Sequence, residues 1–246
     1  MIKDKVVIIT GASSGIGYAT ALTLSKAGAK VAIGARRTDK LEQLENEIKN
    51  NGGDVLSQKL DVTQKTDCDT IVEQTIKKWG TVDILVNNAG LMPLSFVKNL
   101  KIDEWDQMVD VNIKGVLYCT AAVLPHMREA KSGHIINISS VAGRIVFPAG
   151  SVYCATKHAV TAFSEGLRQE LSPRNNIRVT TIEPGVVSTE LTNTITDESL
   201  EKFVEASKKM EALKADDIAS AIVFAIDAPN HVSVNEVLVR PTTQDR

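Results

Sequence analysis

Residues 6–17 read Val6-Val7-Ile8-Ile9-Thr10-Gly11-Ala12-Ser13-Ser14-Gly15-Ile16-Gly17, and a helical stretch, Tyr18–Lys26, follows. A run of β-formers ends in a glycine-rich turn that opens a helix. The glycines fit neither the GxGxxG spacing of the usual dinucleotide fingerprint nor the GxxxxGK(S/T) of a P-loop. The physics is the same. Gly11 permits a sharp turn, Gly15 lets the backbone approach a pyrophosphate, and Gly17 allows close helix–strand contact. Ser13, Ser14 and Ile16 lie between them, and the helix N-terminus presents unpaired N–H groups to an anion. A tight turn without a ligand is the plainer reading of the same residues.

The strand-then-helix rhythm continues outward from this loop. Strand candidates are Val6–Thr10, Val31–Gly34, Val55–Leu60, Ile84–Asn87, His134–Ile138, Arg178–Ile182 and Glu236–Val239. Most are apolar throughout, as parallel strands covered on both faces should be. Leu41, Leu44 and Ile48 line one helical face. Ile71, Thr75 and Ile76 line another, which closes on Lys77, Lys78 and a Gly80 stop. This alternation predicts an α/β fold: one doubly wound parallel sheet of about seven strands, Rossmann type, with helices on both faces. Right-handed crossovers bring the carboxyl ends of all strands to one edge, where ligands bind. Between Pro184-Gly185 and Ala215-Asp216-Asp217 the rhythm breaks. Leu200, Phe203, Val204 and Met210 form a sparse apolar stripe there, and residues 188–213 read as a substrate lid or an ordinary surface helix pair.

Composition limits the function classes. At about 150 residues per domain, 246 residues allow one enlarged domain, taken here as 1–246. A formal charge of −2, from 28 basic and 30 acidic side chains, is too balanced for a polyanion binder. Cys68, Cys119 and Cys154 have no ligand spacing and read as free thiols in a reducing, cytoplasmic setting. No apolar run approaches the ~18 residues of a membrane span. His126, His134, His158 and His231 share no helical face, so no metal site is expected. Asp103, Glu104, Asp106 and Asp110 read as a solvated helix start, and Asp216-Asp217 as a cap before Ile218–Ile226.

Chemistry enters at Tyr153-Cys154-Ala155-Thr156-Lys157. A phenol and an ammonium four residues apart share a helix face. A free tyrosine has a pKa near ~10, and a neighbouring cation shifts it downward. Ser140, after the fifth strand, stands at the ligand edge. Its hydroxyl is placed to donate to a carbonyl oxygen. The second strand ends in Gly34-Ala35 where an acid would read a ribose 2′-hydroxyl, and Arg36-Arg37 follow. A small residue with two guanidiniums suits a 2′-phosphate, so NADP is favoured over NAD.

These residues together resemble the short-chain dehydrogenase/reductase family over about residues 3–240. Thr10–Gly17 is similar to that family's cofactor loop, Asp61-Val62 to its adenine-contacting pair, and Asn87-Asn88-Ala89-Gly90 to its strand-four motif. Asn112, Ser140, Tyr153 and Lys157 resemble its catalytic four, and Pro184-Gly185-Val186-Val187-Ser188-Thr189 its nicotinamide loop. The resemblance implies Tyr153 as general acid in carbonyl reduction and base in alcohol oxidation. Lys157 would depress the tyrosine and bond the nicotinamide ribose, and Ser140 would polarise the substrate oxygen. Asn112 would hold a water on a proton path.

Within the family, Ser14 stands where many NADP-preferring members carry a basic residue. The tail Asn235–Thr242, Ile182–Gly185 and Asn88–Leu94 are similar to the NADP-dependent 3-hydroxy acid (serine-type) dehydrogenases and clavaldehyde-reductase-like proteins. The resemblance implies a small hydroxy acid or related carbonyl as substrate and a homotetramer as assembly. The competing readings are a reductase of carrier-bound or sterol-like ketones and a non-catalytic nucleotide sensor. Arg144 reads as a partner for a substrate carboxylate or as an exposed base. Glu183 reads as a pocket residue or the partner of a nearby base.

Overall fold

The computed structural model describes residues 2–245, the side chains of 207–209 excepted. Seven strands form one parallel sheet. They are β1 (Val6–Thr10), β2 (Lys30–Ala35), β3 (Val55–Lys59), β4 (Ile84–Asn87), β5 (Gly133–Ile138), β6 (Ile177–Pro184) and β7 (Glu236–Val239). Their order is β3-β2-β1-β4-β5-β6-β7. The winding reverses between β1 and β4, and that reversal opens a crevice at the strands' carboxyl ends.

Side chains leave a strand on alternate faces, so neighbours in β1 serve different cores. Val7 and Ile9 meet Ala21 and Leu24 of α1 (Gly15–Lys26), Leu41, Leu44 and Ile48 of α2 (Thr38–Asn50) and Ile218, Ile222 and Ile226 near the C-terminus. Ile8 faces the other way, onto Ile71 and Val72 of α3 (Lys65–Trp79) and a second set of helices. Both Ile8 and Ile9 are fully buried; each such side chain contributes about 1.5–3 kcal/mol by leaving water. Gly80 closes α3 at φ +80°, the left-handed stop its position predicts.

The second set begins with α4 (Ile102–Val109), a π-helical turn Asp110–Lys114, and α5 (Gly115–Ala130). Together Ile102–Ala130 is one helix long and apolar enough to cross a membrane by length and composition. Charged residues interrupt it, so it holds no uninterrupted apolar run of that length, in keeping with the sequence reading. Cys119, Val123 and Met127 place its C-terminal half in the second core, beside Leu167 and Leu171 of α6 (Ser151–Asn175).

The insertion is pinched at its base. Val187 bridges Leu213, and the Ser188 amide donates to the Leu213 carbonyl at 2.8 Å. Between these ends run two 3₁₀ turns, Glu190–Thr194 and Glu198–Leu200, and α7 (Glu201–Lys209). Leu200 is buried, whereas Phe203 and Met210 are exposed, so only part of the expected stripe turns inward. Asp197 latches the segment to the loop after β4. One carboxylate oxygen accepts from Ser95 Oγ and Asn99 Nδ2, each at 2.7 Å, and the other from Ser199 Oγ at 2.6 Å. The Ser199 bond first, then those from Ser95 and Asn99, hold its carboxyl well below the usual range. Thr194 Oγ1 accepts the Met92 amide at 3.1 Å. Then α8 (Ala215–Asp227) starts three residues earlier than expected, with Lys214 as N-cap. Asp216 and Asp217 fall within its first turn, and the Asp217 carboxylate reaches back to accept the Lys214 amide at 2.7 Å.

Candidate active site

At the end of β1 the backbone turns at Gly11, whose φ is +67°. Thr10 Oγ1 accepts the amides of Asn88 and Ala89, both at 3.0 Å. Asn88 Nδ2 donates to the carbonyls of Thr10 and Gly11, at 2.9 and 3.2 Å. The Asn88 side chain therefore braces the loop from beneath. A Cβ on Gly17 would lie 2.4 Å from Asn88 Nδ2, the close contact expected of that glycine.

Across the crevice stand the four catalytic candidates. Lys157 is buried on α6 and donates from Nζ to the Ile138 carbonyl at 2.9 Å. Its Nζ lies 5.8 Å from the Tyr153 ring centre. Asn112 sits in the π turn, an irregularity frequent at functional sites. It clamps the Leu91 backbone, accepting that amide and donating to that carbonyl at 2.9 Å each. It also donates to Thr156 Oγ1 at 3.2 Å. Ser140 Oγ accepts the Ala142 amide at 3.1 Å and donates to the Pro184 carbonyl at 3.3 Å. Its hydroxyl also reaches the Tyr153 phenol.

Gly90 joins the two halves. A Cβ there would stand 3.4 Å from Asn112 Oδ1 and 3.7 Å from Lys157 Nζ, while one on Gly11 would touch Ala89 Cα at 2.8 Å. Asn88-Ala89-Gly90 thus bridges the glycine loop to the buried lysine.

One electrostatic expectation fails. Burial pushes the Tyr153 phenol up to about 12, against a smaller opposing pull from Ser140. The cation expected to lower it is itself pushed down to about 8 by burial and donates to a carbonyl. Desolvation outweighs the helix-face pairing.

The remaining candidates sit as follows. Asp61 closes a turn, one oxygen accepting Thr63 N at 3.0 Å and Thr63 Oγ1 at 2.8 Å. Val62 is buried against Gly115. Gly185 donates to the Val239 carbonyl at 2.7 Å, and Gln244 accepts the Val186 amide at 2.9 Å. Arg36 is exposed, and Arg37 reaches back to Ser13 and Ser14. Sequence reasoning missed Ser139, whose hydroxyl donates to the Lys157 carbonyl at 3.1 Å and meets Thr161 at 2.9 Å. No spacing signal marked it, since it lies just past the end of β5 at Ile138.

Arg144 has two partners. It donates to Glu183, which is fully buried, and to Glu236 on β7. It is therefore engaged by protein carboxylates, and burial holds the Glu183 carboxyl above the usual range despite that guanidinium. Arg144→Ala is expected to cost about 2–3 kcal/mol at neutral pH, less than a fully enclosed pair because Arg144 is part-exposed. A carboxyl raised in the folded state is charged, and in need of a partner, only above its folded pKa. Urea denaturation should show the cost shrinking as pH falls through that pKa and Glu183 takes a proton. A cost independent of pH would remove the ion pair as its cause.

The chain matches the model of the short chain dehydrogenase family over residues 5–200. An uncharacterized oxidoreductase of Staphylococcus saprophyticus is 52% identical over 245 residues, covering 99% of this chain and 98% of that protein. Serine dehydrogenase in its closed form with NADP+ superposes with a TM-score of 0.90 at 35% identity, over 98% of this chain and 96% of that one. The 3-ketoacyl-(acyl-carrier-protein) reductase of Brucella melitensis complexed with NADH gives 0.86 at 32%, over 98% of each chain.

Proposed function

The chain belongs to the short chain dehydrogenase family, and within it we propose an NADP(H)-dependent oxidoreductase that interconverts a carbonyl and an alcohol. The observation carrying this reading is the bridge Asn88-Ala89-Gly90, which abuts Gly11 on one side and Lys157 on the other. It joins a dinucleotide loop to a buried Tyr–Lys pair and a half-buried serine in one crevice.

The residues fit the cofactor. The Gly15–Gly17 backbone at the start of α1 suits the pyrophosphate. Arg37, with Arg36 beside it, suits a 2′-phosphate, since a guanidinium fork matches phosphate oxygens. Lys157 suits the nicotinamide ribose. Bound NADP(H) would supply or accept the hydride, leaving orientation and proton handling to the protein. Tyr153, protonated at neutral pH, gives its proton to the carbonyl oxygen during reduction and recovers it in oxidation. Ser140 Oγ, within reach of the same phenol, orients that oxygen. Asn112 holds Leu91 and keeps the lip of the pocket in place.

Tyr153 belongs to an apolar cluster with Leu94, Met108, Ala142, Ala149 and Leu200, which Leu91, Phe147 and Ile195 adjoin. Such walls favour a carbonyl on an apolar body. Arg144, the base the sequence offered to a substrate carboxylate, is already held by Glu183 and Glu236. A small hydroxy acid remains one arm of the test, and a carrier-bound ketone another.

NADPH consumption is measured across aldehydes, uncharged ketones, β-keto acids and acyl thioesters, with NADH in parallel. Turnover with NADPH, fastest on uncharged ketones or aldehydes, is the expected result. Preference for NADH overturns the cofactor assignment, and inactivity across the panel overturns the reaction.

A further inference from the structure

The base of the insertion crosses the cofactor crevice. Thr189 lies on the glycine loop, its methyl 3.2 Å from where a Cβ on Gly15 would stand. The next residue reaches the far bank: Glu190 Oε2 is 2.8 Å from Nη1 of Arg37. Arg37 first, and then the nearby Ser14 hydroxyl, lower the pKa of the same carboxylate. Arg37 turns its other nitrogens to the loop. Nε and Nη2 donate to Ser13 Oγ at 3.2 and 3.1 Å, and Nη2 to Ser14 Oγ at 2.6 Å.

A carboxylate resting on a guanidinium edge and a serine hydroxyl has the donor set that holds a phosphate monoester. Glu190 thus takes the place on Arg37 that a cofactor phosphate needs. Resting on the NADP(H) reading above, we propose that Glu190 is a specificity-determining residue that competes with the 2′-phosphate of NADP(H) for Arg37. The incoming phosphate displaces the carboxylate, because two anions cannot share one guanidinium edge without repulsion. NADH carries a 2′-hydroxyl and leaves the pair in place. Glu190 therefore narrows the preference for NADP(H) that Arg37 alone would give.

The magnitude follows from exposure. The side chains of Arg37 and Glu190 are 45% and 53% exposed, so the pair is weak and easily opened. A ligand that must wait for a minority open state loses apparent affinity by that state's fraction. A weak surface pair corresponds to about a three- to fivefold loss. Arg37 keeps the Glu190 carboxyl below its usual range, so the competitor is charged throughout neutral pH.

The test is binding without substrate. NADPH and NADH are titrated into wild type, Glu190→Gln, Arg37→Gln and the double variant, following nicotinamide fluorescence. Glu190→Gln is expected to tighten NADPH about three- to fivefold with NADH within twofold, and to change neither in the Arg37→Gln background. No change with NADPH overturns the proposal. So does an equal gain for both cofactors, or a gain that survives in the Arg37→Gln background, since each marks general charge repulsion. A wild type that binds NADH more tightly overturns the NADP(H) reading itself, and is seen before any variant is compared.

Discussion

Tyr153→Phe is expected to lower turnover about 10²–10⁴-fold, the usual worth of positioned proton transfer, while NADPH binding stays near wild type. The ring is 5% exposed within an apolar cluster, so phenylalanine fills the same slot. What is lost is the hydroxyl that Ser140 reaches and that has a proton to give. A phenol pushed up to about 12 is protonated at neutral pH, the form that carbonyl reduction requires. Alcohol oxidation requires the other form, and the phenolate fraction grows with pH throughout the range below 12. The wild-type oxidation rate should therefore climb through alkaline pH, while the reduction rate does not share that rise. In Tyr153→Phe the climb should vanish. Steady-state rates in both directions, with fluorescence titration of NADPH, read these separately. Turnover within a few-fold of wild type would remove Tyr153 as the proton donor.

The parts of this site that were legible in the sequence are those whose physics is local. Strands buried on both faces must be apolar along their length, which is why β1 and β4 match the structure residue for residue. A loop that turns sharply beneath a helix needs glycine, so Gly11, Gly15 and Gly17 marked it. Interactions set by distant segments left no such mark. Arg144 meets Glu236 across 92 residues of chain, and nothing near either residue announces the other. Glu190 looked like any lid glutamate until the fold carried it to Arg37. The π turn around Asn112 spans only Asp110–Lys114, too few residues to show a period of their own in the sequence. The direction of the Tyr153 shift was out of reach for a related reason. Four-residue spacing places Lys157 on the same face, but how deeply each is buried, Tyr153 among Leu94, Met108 and Leu200, Lys157 against the Ile138 carbonyl, is a tertiary fact, and depth decides which effect wins. Asn88 is the intermediate case. The motif correctly located it beside the cofactor loop, while its amide bonds the Thr10 and Gly11 carbonyls.

That bracing makes the glycine loop sensitive to added bulk. Gly11→Ala is expected to cost about 2–5 kcal/mol, summing the left-handed penalty for an L-residue with overpacking. A chain of this size should then melt about 5–15 °C lower. The new Cβ would stand 2.8 Å from Ala89 Cα and 3.0 Å from Ala89 N, both backbone atoms that cannot rotate aside. Relief requires β4's continuation to move, and Gly90 moves with it, away from Lys157. NADPH affinity should therefore fall together with stability. Gly17→Ala differs in kind. Its Cβ would meet Asn88 Nδ2 at 2.4 Å and the Gly11 carbonyl oxygen at 2.6 Å, one side-chain and one backbone contact. Adding Asn88→Ala should restore more of the stability lost in Gly17→Ala, whose shortest contact is Asn88 Nδ2 at 2.4 Å, than of that lost in Gly11→Ala, where Asn88 Nδ2 at 3.0 Å joins two backbone contacts that remain. A thermal melt of the four variants resolves this. Gly11→Ala melting and binding NADPH as wild type does would mean that the loop is not seated on Ala89. The bridge from cofactor loop to catalytic lysine would fall with it.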